Sequence, residues 1–144
     1  MTLEAENIVF EDGALTVAAY QKLRAEAGWH ELEPARARAA LERSIFTTTA
    51  RVGEEVVGCG RIVGDGQIYF YIQDVLVTPN LRGRGVGSAL MGRLMNFLEG
   101  AAPRRSGAFF GLMIAPGLED FYAKFGFEPL AVDSPFMAIW RNGH

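Results

Sequence analysis

Leu81–Leu90 reads L-R-G-R-G-V-G-S-A-L, and it separates two unlike patterns. Before it, Ile68 to Val77 is apolar, β-branched and aromatic, as in a strand. After it, Val86, Leu90, Leu94, Phe97 and Leu98 recur at helical spacing. The order is strand, glycine–arginine turn, helix. Gly83, Gly85 and Gly87 alternate along the turn, so the backbone can approach a ligand and take φ angles closed to other residues. The first amides of a helix lack intrahelical acceptors, and the helix dipole adds partial positive charge there. Arg82 and Arg84 add two full charges. The stretch predicts an anion site suited to phosphate or pyrophosphate.

Two familiar phosphate loops fail against it. Gly-x-Gly-x-x-Gly requires a third glycine, but Ser88 or Leu90 stands there, depending on the frame. The nucleoside-triphosphate loop requires Lys then Ser or Thr after its last glycine. From Gly87 that frame reaches Gly92, and Arg93 and Leu94 follow.

Working outward, Asp65-Gly66 is a hairpin signal. It joins the strand Gln67–Thr78 to another predicted over Glu55–Val63, and Gly53-Glu54 joins that to Ser44–Val52. Three consecutive strands therefore form an antiparallel meander. Upstream, Ile8–Phe10 predicts a short strand. Ala14–Glu26 predicts a helix with Leu15, Ala19 and Leu23 on one face. Pro34 opens a second helix striped by Ala37, Ala40 and Leu41. Downstream of the central helix, Gly107–Ala115 predicts a strand and Leu118–Lys124 a short helix capped by Gly126. Phe127–Val132 and Phe136–Trp140 predict two last strands. The expected class is α+β, a mixed and mostly antiparallel sheet flanked by helices, with one β-α-β crossover at the glycine turn.

At 144 residues the chain is expected to be one domain, 1–144. Hydrophobic residues make up 49% and charged residues 22%, the balance of a globular protein. The net charge of −3 argues against a nucleic-acid partner. Cys59 is the one cysteine, so no internal disulfide forms and a reducing compartment is the simpler reading. The opening M-T-L-E-A-E-N has two acids and no apolar core, unlike a signal peptide. No run reaches the roughly 18 apolar residues of a membrane span. A cytoplasmic protein with no membrane partner is expected. No His, Cys or acidic residues have metal-ligand spacing, so no metal is expected. The sequence leaves a homodimer open.

Three motifs together resemble the GNAT superfamily of N-acetyltransferases. The coenzyme A loop of that family runs Arg or Gln, two residues, Gly, one residue, then Gly or Ala, and Arg82, Gly85 and Gly87 fill it. Phe121-Tyr122-Ala123-Lys124-Phe125-Gly126-Phe127 is similar to the end of the family's last helix. Gln73-Asp74-Val75-Leu76-Val77-Thr78-Pro79 is similar to the strand before its loop. The likeness covers about residue 44 to the end; the first 43 residues match in helix order.

The resemblance implies transfer of acetyl from acetyl-CoA, as co-substrate, to a primary amine in a ternary complex. Arg82, Gly83, Arg84, Gly85, Val86, Gly87 and Ser88 would hold the pyrophosphate. The backbone around Val75, Leu76 and Val77 would pair with the pantetheine arm and supply an oxyanion donor near Leu76. Tyr122 occupies the position of the family's acid, which protonates the departing thiolate. Phe121, Phe125 and Phe127 are expected in the core. Many members carry a glutamate base where this chain has Gln73. Asp74 is the next candidate for the base, with a structural acid at the splay of the sheet as the other reading. Ala115 replaces a frequent cofactor-contacting asparagine. The link Gly28–Glu33 would cover the acceptor, with Trp29 as an aromatic wall, Glu31 and Glu33 attracting a cationic amine, and Tyr69 or Tyr71 lining the sheet side. Equally, Trp29 packs on the core and the glutamates face water. A small-molecule amine is the expected acceptor. A protein N-terminus or lysine, or an acyl-CoA sensor without turnover, are the alternatives.

Overall fold

Local signals fix the first elements. Thr16 caps the first helix, its hydroxyl accepting from the Ala19 amide at 3.1 Å. That helix, α1, spans Val17–Glu26. Glu33 caps the second, accepting from the Arg36 amide at 3.0 Å, with Pro34 in the first turn of α2 (Pro34–Glu42). The computed structural model describes residues 7–130 and 136–141 of the chain. These fall into two compact units, Met1–Leu112 and Met113–His144.

The first unit holds a five-stranded sheet in sequence order: β1 (Ile8–Asp12), β2 (Phe46–Val52), β3 (Glu55–Gly64), β4 (Tyr69–Val77) and β5 (Phe109–Leu112). The first three pairings are antiparallel and β4 pairs β5 in parallel. That parallel pair requires a crossover, supplied by α3 (Val86–Ala101) after a 3-10 turn at Pro79–Leu81. Asp65 shapes the β3–β4 turn by accepting from the amides of Gln67, Ile68 and Tyr69 at 2.8–2.9 Å.

Helices cover both faces of this sheet. Gly58 and Gly60 face α3. A Cβ on Gly58 would lie 3.1 Å from Leu90 Cδ1, so the missing side chains let α3 sit close. Leu90, Met91, Leu94 and Leu98 of α3 are fully buried. Each contributes on the order of 1.5–3 kcal/mol of burial free energy. On the opposite face Cys59 packs with Leu23 of α1 and Leu76 of β4.

Several expectations are corrected. The first helix starts at Val17, so Leu15 lies outside it; its buried residues are Tyr20, Leu23 and Arg24. The strand over Gly107–Ala115 shortens to Phe109–Leu112. In the second unit the short helix α4 covers Glu119–Ala123 and buries no residue. Phe121, Phe125 and Phe127 are half-buried rather than core; Phe121 packs edge-on against Tyr122 and Phe125. Residues 127–130 and 136–140 carry no strand, and residues 131–135, which include the rest of the first of these two expected strands, lie outside the described residues. Strand composition without a ladder partner does not make a strand.

Candidate active site

The β4 strand carries an extra residue. Cys59 pairs with Leu76 and Arg61 with Gln73, so two steps along β3 face three along β4. This bulge contains Asp74, whose φ of 57° is left-handed. The bulge sets the direction of the strand's polar groups. The Thr78 amide donates to the Val57 carbonyl at 2.8 Å. By antiparallel alternation, the groups of Val77 then point away from β3. By the same alternation the groups of Leu76, the partner of Cys59, turn inward toward β3. The β4–β5 ladder pairs Tyr69–Ile72 with Phe109–Leu112. The outward edge at Val75 and Val77 thus lies beyond the last β5 pair.

The glycine turn follows directly. Gly83 (φ 77°) and Gly85 (φ 86°) are both left-handed, and a Cβ at either would meet nothing within 4 Å. The need for glycine there is conformational, together with the open space beside it. Gly85 is the N-cap of α3 and offers no side-chain cap. The first helical bond runs from the Ala89 amide to the Gly85 carbonyl at 3.0 Å. The amides of Val86, Gly87 and Ser88 therefore have no acceptor within the helix, which suits an anion. Arg82 is exposed, and its Nε donates to the Val77 carbonyl at 3.0 Å. Arg84 is exposed on the same turn.

Asp74 lies at the centre of a network that no sequence pattern announced. The Tyr20 hydroxyl donates to Asp74 Oδ2 at 2.7 Å, and Arg61 Nε donates to the same oxygen at 2.8 Å. Arg61 continues to Ser44 Oγ at 2.9 Å. The Arg61 and Asp74 side chains are 13% and 10% exposed. Burial, then the Asp74 charge, pushes the Tyr20 phenol up to about 12. Burial, the largest single influence, acts against the Arg61 charge, but the hydrogen bond to Asp74 together with the charges and hydrogen bonding of Tyr20 and Asp74 outweighs it, and the guanidinium is held above its ordinary value. Burial and Asp74 likewise push the Cys59 thiol up to about 12, so it is no nucleophile.

The expected acceptor residues share this face. Tyr71 and Val63 are partners, as are Gln73 and Arg61, which puts Tyr71 on the face of Arg61. Tyr71 is half-buried and meets Phe109 edge-on at 5.9 Å, whereas Tyr69 is exposed. Trp29 is half-buried against the Leu23–Cys59–Leu76 cluster. Its ring stacks on the Arg24 guanidinium at 5.2 Å. Arg24 itself is buried, with Tyr20 on another side at 5.7 Å, and its Nη2 donates to the His30 carbonyl. The Gln21 side chain exchanges two hydrogen bonds with the Leu32 backbone, so the link is pinned to α1. Glu31 is exposed, while the Glu33 carboxylate serves as the α2 cap.

Tyr122 belongs to the second unit, on α4. It is half-buried, and burial raises its phenol above the ordinary value, so it is protonated at neutral pH. Among the described residues no three His, Cys, Asp or Glu side chains gather as a metal site. Among them, too, no helix is long and apolar enough to cross a membrane.

Comparison with known proteins agrees with this geometry. A family model for the acetyltransferase (GNAT) domain matches residues 43–129. Serotonin N-acetyltransferase 2, chloroplastic, of Oryza sativa subsp. japonica is 30% identical over an alignment of 134 residues, and the match covers 89% of this chain. The chain spans 64% of that relative's length. Among solved structures, SA2161 of meticillin-resistant Staphylococcus aureus, described as a probable acetyltransferase, superposes with a TM-score of 0.85 at 28% identity. That match covers 93% of this chain and 99% of the other. SP0256 of Streptococcus pneumoniae, a GNAT family acetyltransferase, gives 0.73 at 27% identity, covering 95% and 99%.

Proposed function

Since the chain belongs to the GNAT acetyltransferases and is therefore an acyltransferase, we propose that it moves an acetyl group from acetyl-CoA to a primary amine of a small molecule. The observation that carries this reading is the amino terminus of α3, opened by a left-handed glycine beside the outward edge of a bulged strand. Residues 1–144 act in this reading as one catalytic domain.

The roles follow from charge and direction. The amides of Val86, Gly87 and Ser88, with Arg82 and Arg84 nearby, hold the pyrophosphate. The outward edge at Val75 and Val77 pairs with the peptide-like pantetheine arm, and an outward amide there donates to the thioester carbonyl. Leu76 lies between them, paired with Cys59 of β3 and packed in the Leu23–Cys59 cluster, so it contributes packing in this reading. The amine attacks as the neutral base, its carbon–nitrogen bond forming as the carbon–sulfur bond breaks. Water carries off the amine proton. Tyr122, protonated at neutral pH, donates to the departing thiolate. Trp29 and Tyr71 supply the aromatic wall, and exposed Glu31 draws the cation to it. By its name the Oryza relative acts on serotonin, a small primary amine, which supports a small acceptor over a protein amino group.

Two substitutions at one position test the cofactor site. Gly85→Asn and Gly85→Asp have nearly the same shape and both tolerate left-handed φ. They differ by one charge. Calorimetry should show acetyl-CoA affinity at least about tenfold weaker for Asp than for Asn, from the charge at the helix terminus. Equal affinities would remove the pyrophosphate from this turn. Coenzyme A release against a panel of amines then tests the acceptor. Turnover on small amines supports the reading, turnover on peptides alone moves it to protein acetylation, and tight binding without turnover makes the chain a sensor.

A further inference from the structure

We propose that Tyr20 and Arg61 are positioning residues, which act through Asp74 to hold the β4 bulge in the shape that turns the Val75 and Val77 amides outward. The inference rests on the acetyl-transfer reading above and gives Asp74 the part of an anchor, not of the proton acceptor.

Three attachments converge on one residue in an unusual conformation. Asp74 has a left-handed φ of 57°, which L residues rarely adopt. Its Oδ2 accepts from the Tyr20 hydroxyl at 2.7 Å and from Arg61 Nε at 2.8 Å. Its carbonyl accepts from the Cys59 thiol at 3.3 Å. Arg61 also reaches Ser44 Oγ at 2.9 Å and the Ala40 carbonyl at 3.4 Å, beside the end of α2. The clasp thus ties α1, α2 and β3 to one point of β4.

That point controls direction. A bulge adds one residue, and losing it would flip every later amide and side chain of the strand to the opposite side. Val75 and Val77 would then turn toward β3, and the edge offered to pantetheine would close. Two donors from different elements meet on the one oxygen, Oδ2, so the side chain is fixed from α1 and from β3 at once. With the thiol of Cys59 on its carbonyl, these contacts make Asp74 a firm anchor.

A series at position 74 separates anchor from base. Asn keeps both an acceptor oxygen and tolerance of left-handed φ; Gly keeps only the φ; Ala keeps neither. For an anchor, the single-turnover rate should fall about tenfold in Asp74→Asn, about a hundredfold in Asp74→Gly and further in Asp74→Ala. The acid limb of the pH–rate profile should persist in Asp74→Asn. Equal large losses in all three, with that limb abolished, would make Asp74 the base and overturn the proposal. Tyr20→Phe should lower kcat about tenfold with amine KM changed less than about threefold. It should also speed amide hydrogen exchange at Val75–Val77 in the ligand-free protein. Unchanged exchange there would overturn the clasp. Exchange needs no turnover, so a wild-type protein that transfers no acetyl would count against the functional reading alone.

Discussion

Arg82 Nε donates to the Val77 carbonyl at 3.0 Å, which fastens the first arginine of the glycine turn back onto the strand it has just left. The bond uses the inner nitrogen of the guanidinium on an exposed residue. Arg82 thus shapes the turn as well as charging it. Lysine keeps the charge but cannot reproduce the planar fork. Arg82→Ala should weaken acetyl-CoA about tenfold and Arg82→Lys about threefold, charge-assisted contacts at exposed sites being modest. The salt dependence of Kd should shrink in the alanine variant and persist in the lysine variant. Calorimetry at low and high salt reads both; identical Kd values in all three proteins would leave Arg82 without a part in binding.

Packing of α3 on the sheet sets where that turn sits. A Cβ on Gly60 would lie 2.8 Å from Leu94 Cδ1, and Leu94 is fully buried. Gly60→Ala should therefore destabilise by about 1–2 kcal/mol, overpacking outweighing the smaller entropic gain of losing a glycine. Urea unfolding measures this. An unchanged or raised midpoint would mean that Leu94 repacks without cost.

Alkaline pH should loosen the first unit. Cys59 rises from an ordinary 9.0 to about 12 and Tyr20 from 10.0 to about 12, burial being the largest cause for both. Above pH 9.0 the unfolded chain releases protons that the native chain keeps, so the native state binds more of them. These contributions are complete below the unfolded values and are lost as pH climbs toward about 12. Each titrating group steepens the loss by about 1.4 kcal/mol per pH unit, less where the two share Asp74. Cys59→Ala should flatten the slope of unfolding free energy between 9.0 and 10.0, the window where the unfolded thiol is ionised ahead of the unfolded Tyr20 phenol. A wild-type slope that is already flat there would show a thiol open to solvent.

The glycine turn was legible because its constraints are local: left-handed glycines, a helix start and an arginine pair all lie within ten residues. The meander was legible for the same reason, each turn joining strands adjacent in sequence. The Asp74 network was not, because Tyr20 and Asp74 are 54 residues apart and meet only when α1 crosses the bulge. Asp74 itself stood out through the resemblance, as a candidate base or a structural acid at the splay, but its partners did not. The burial of Arg24 was not legible for another reason. Periodicity assigns an arginine to solvent, but two aromatic rings bury this one. Glu33 read as an attractant for a cation, yet its spacing to Arg36 already fitted a helix cap. The last two expected strands rested on composition alone, and residues 127–130 and 136–140 show that composition without a partner strand is not enough.

Tyr122 carries the last prediction. Its place in F-Y-A-K-F-G-F resembles the family's acid, and burial keeps its phenol protonated at neutral pH, the form that can donate. Its ring meets Phe121 at 4.9 Å, nearly perpendicular at 82°. Tyr122→Phe keeps that ring contact and removes only the hydroxyl. A positioned acid is worth ~10²–10⁴ in rate. A thiolate leaves readily without help, so kcat should fall by about 10². Acetyl-CoA affinity should change less than about twofold, because the α3 terminus and the β4 edge hold the cofactor in the reading proposed here. The comparison belongs at saturating amine and in a single turnover, since product release can mask a slower chemical step. Should the single-turnover rate equal that of the wild type, Tyr122 is a packing residue, and the thiolate leaves unprotonated or takes its proton from water.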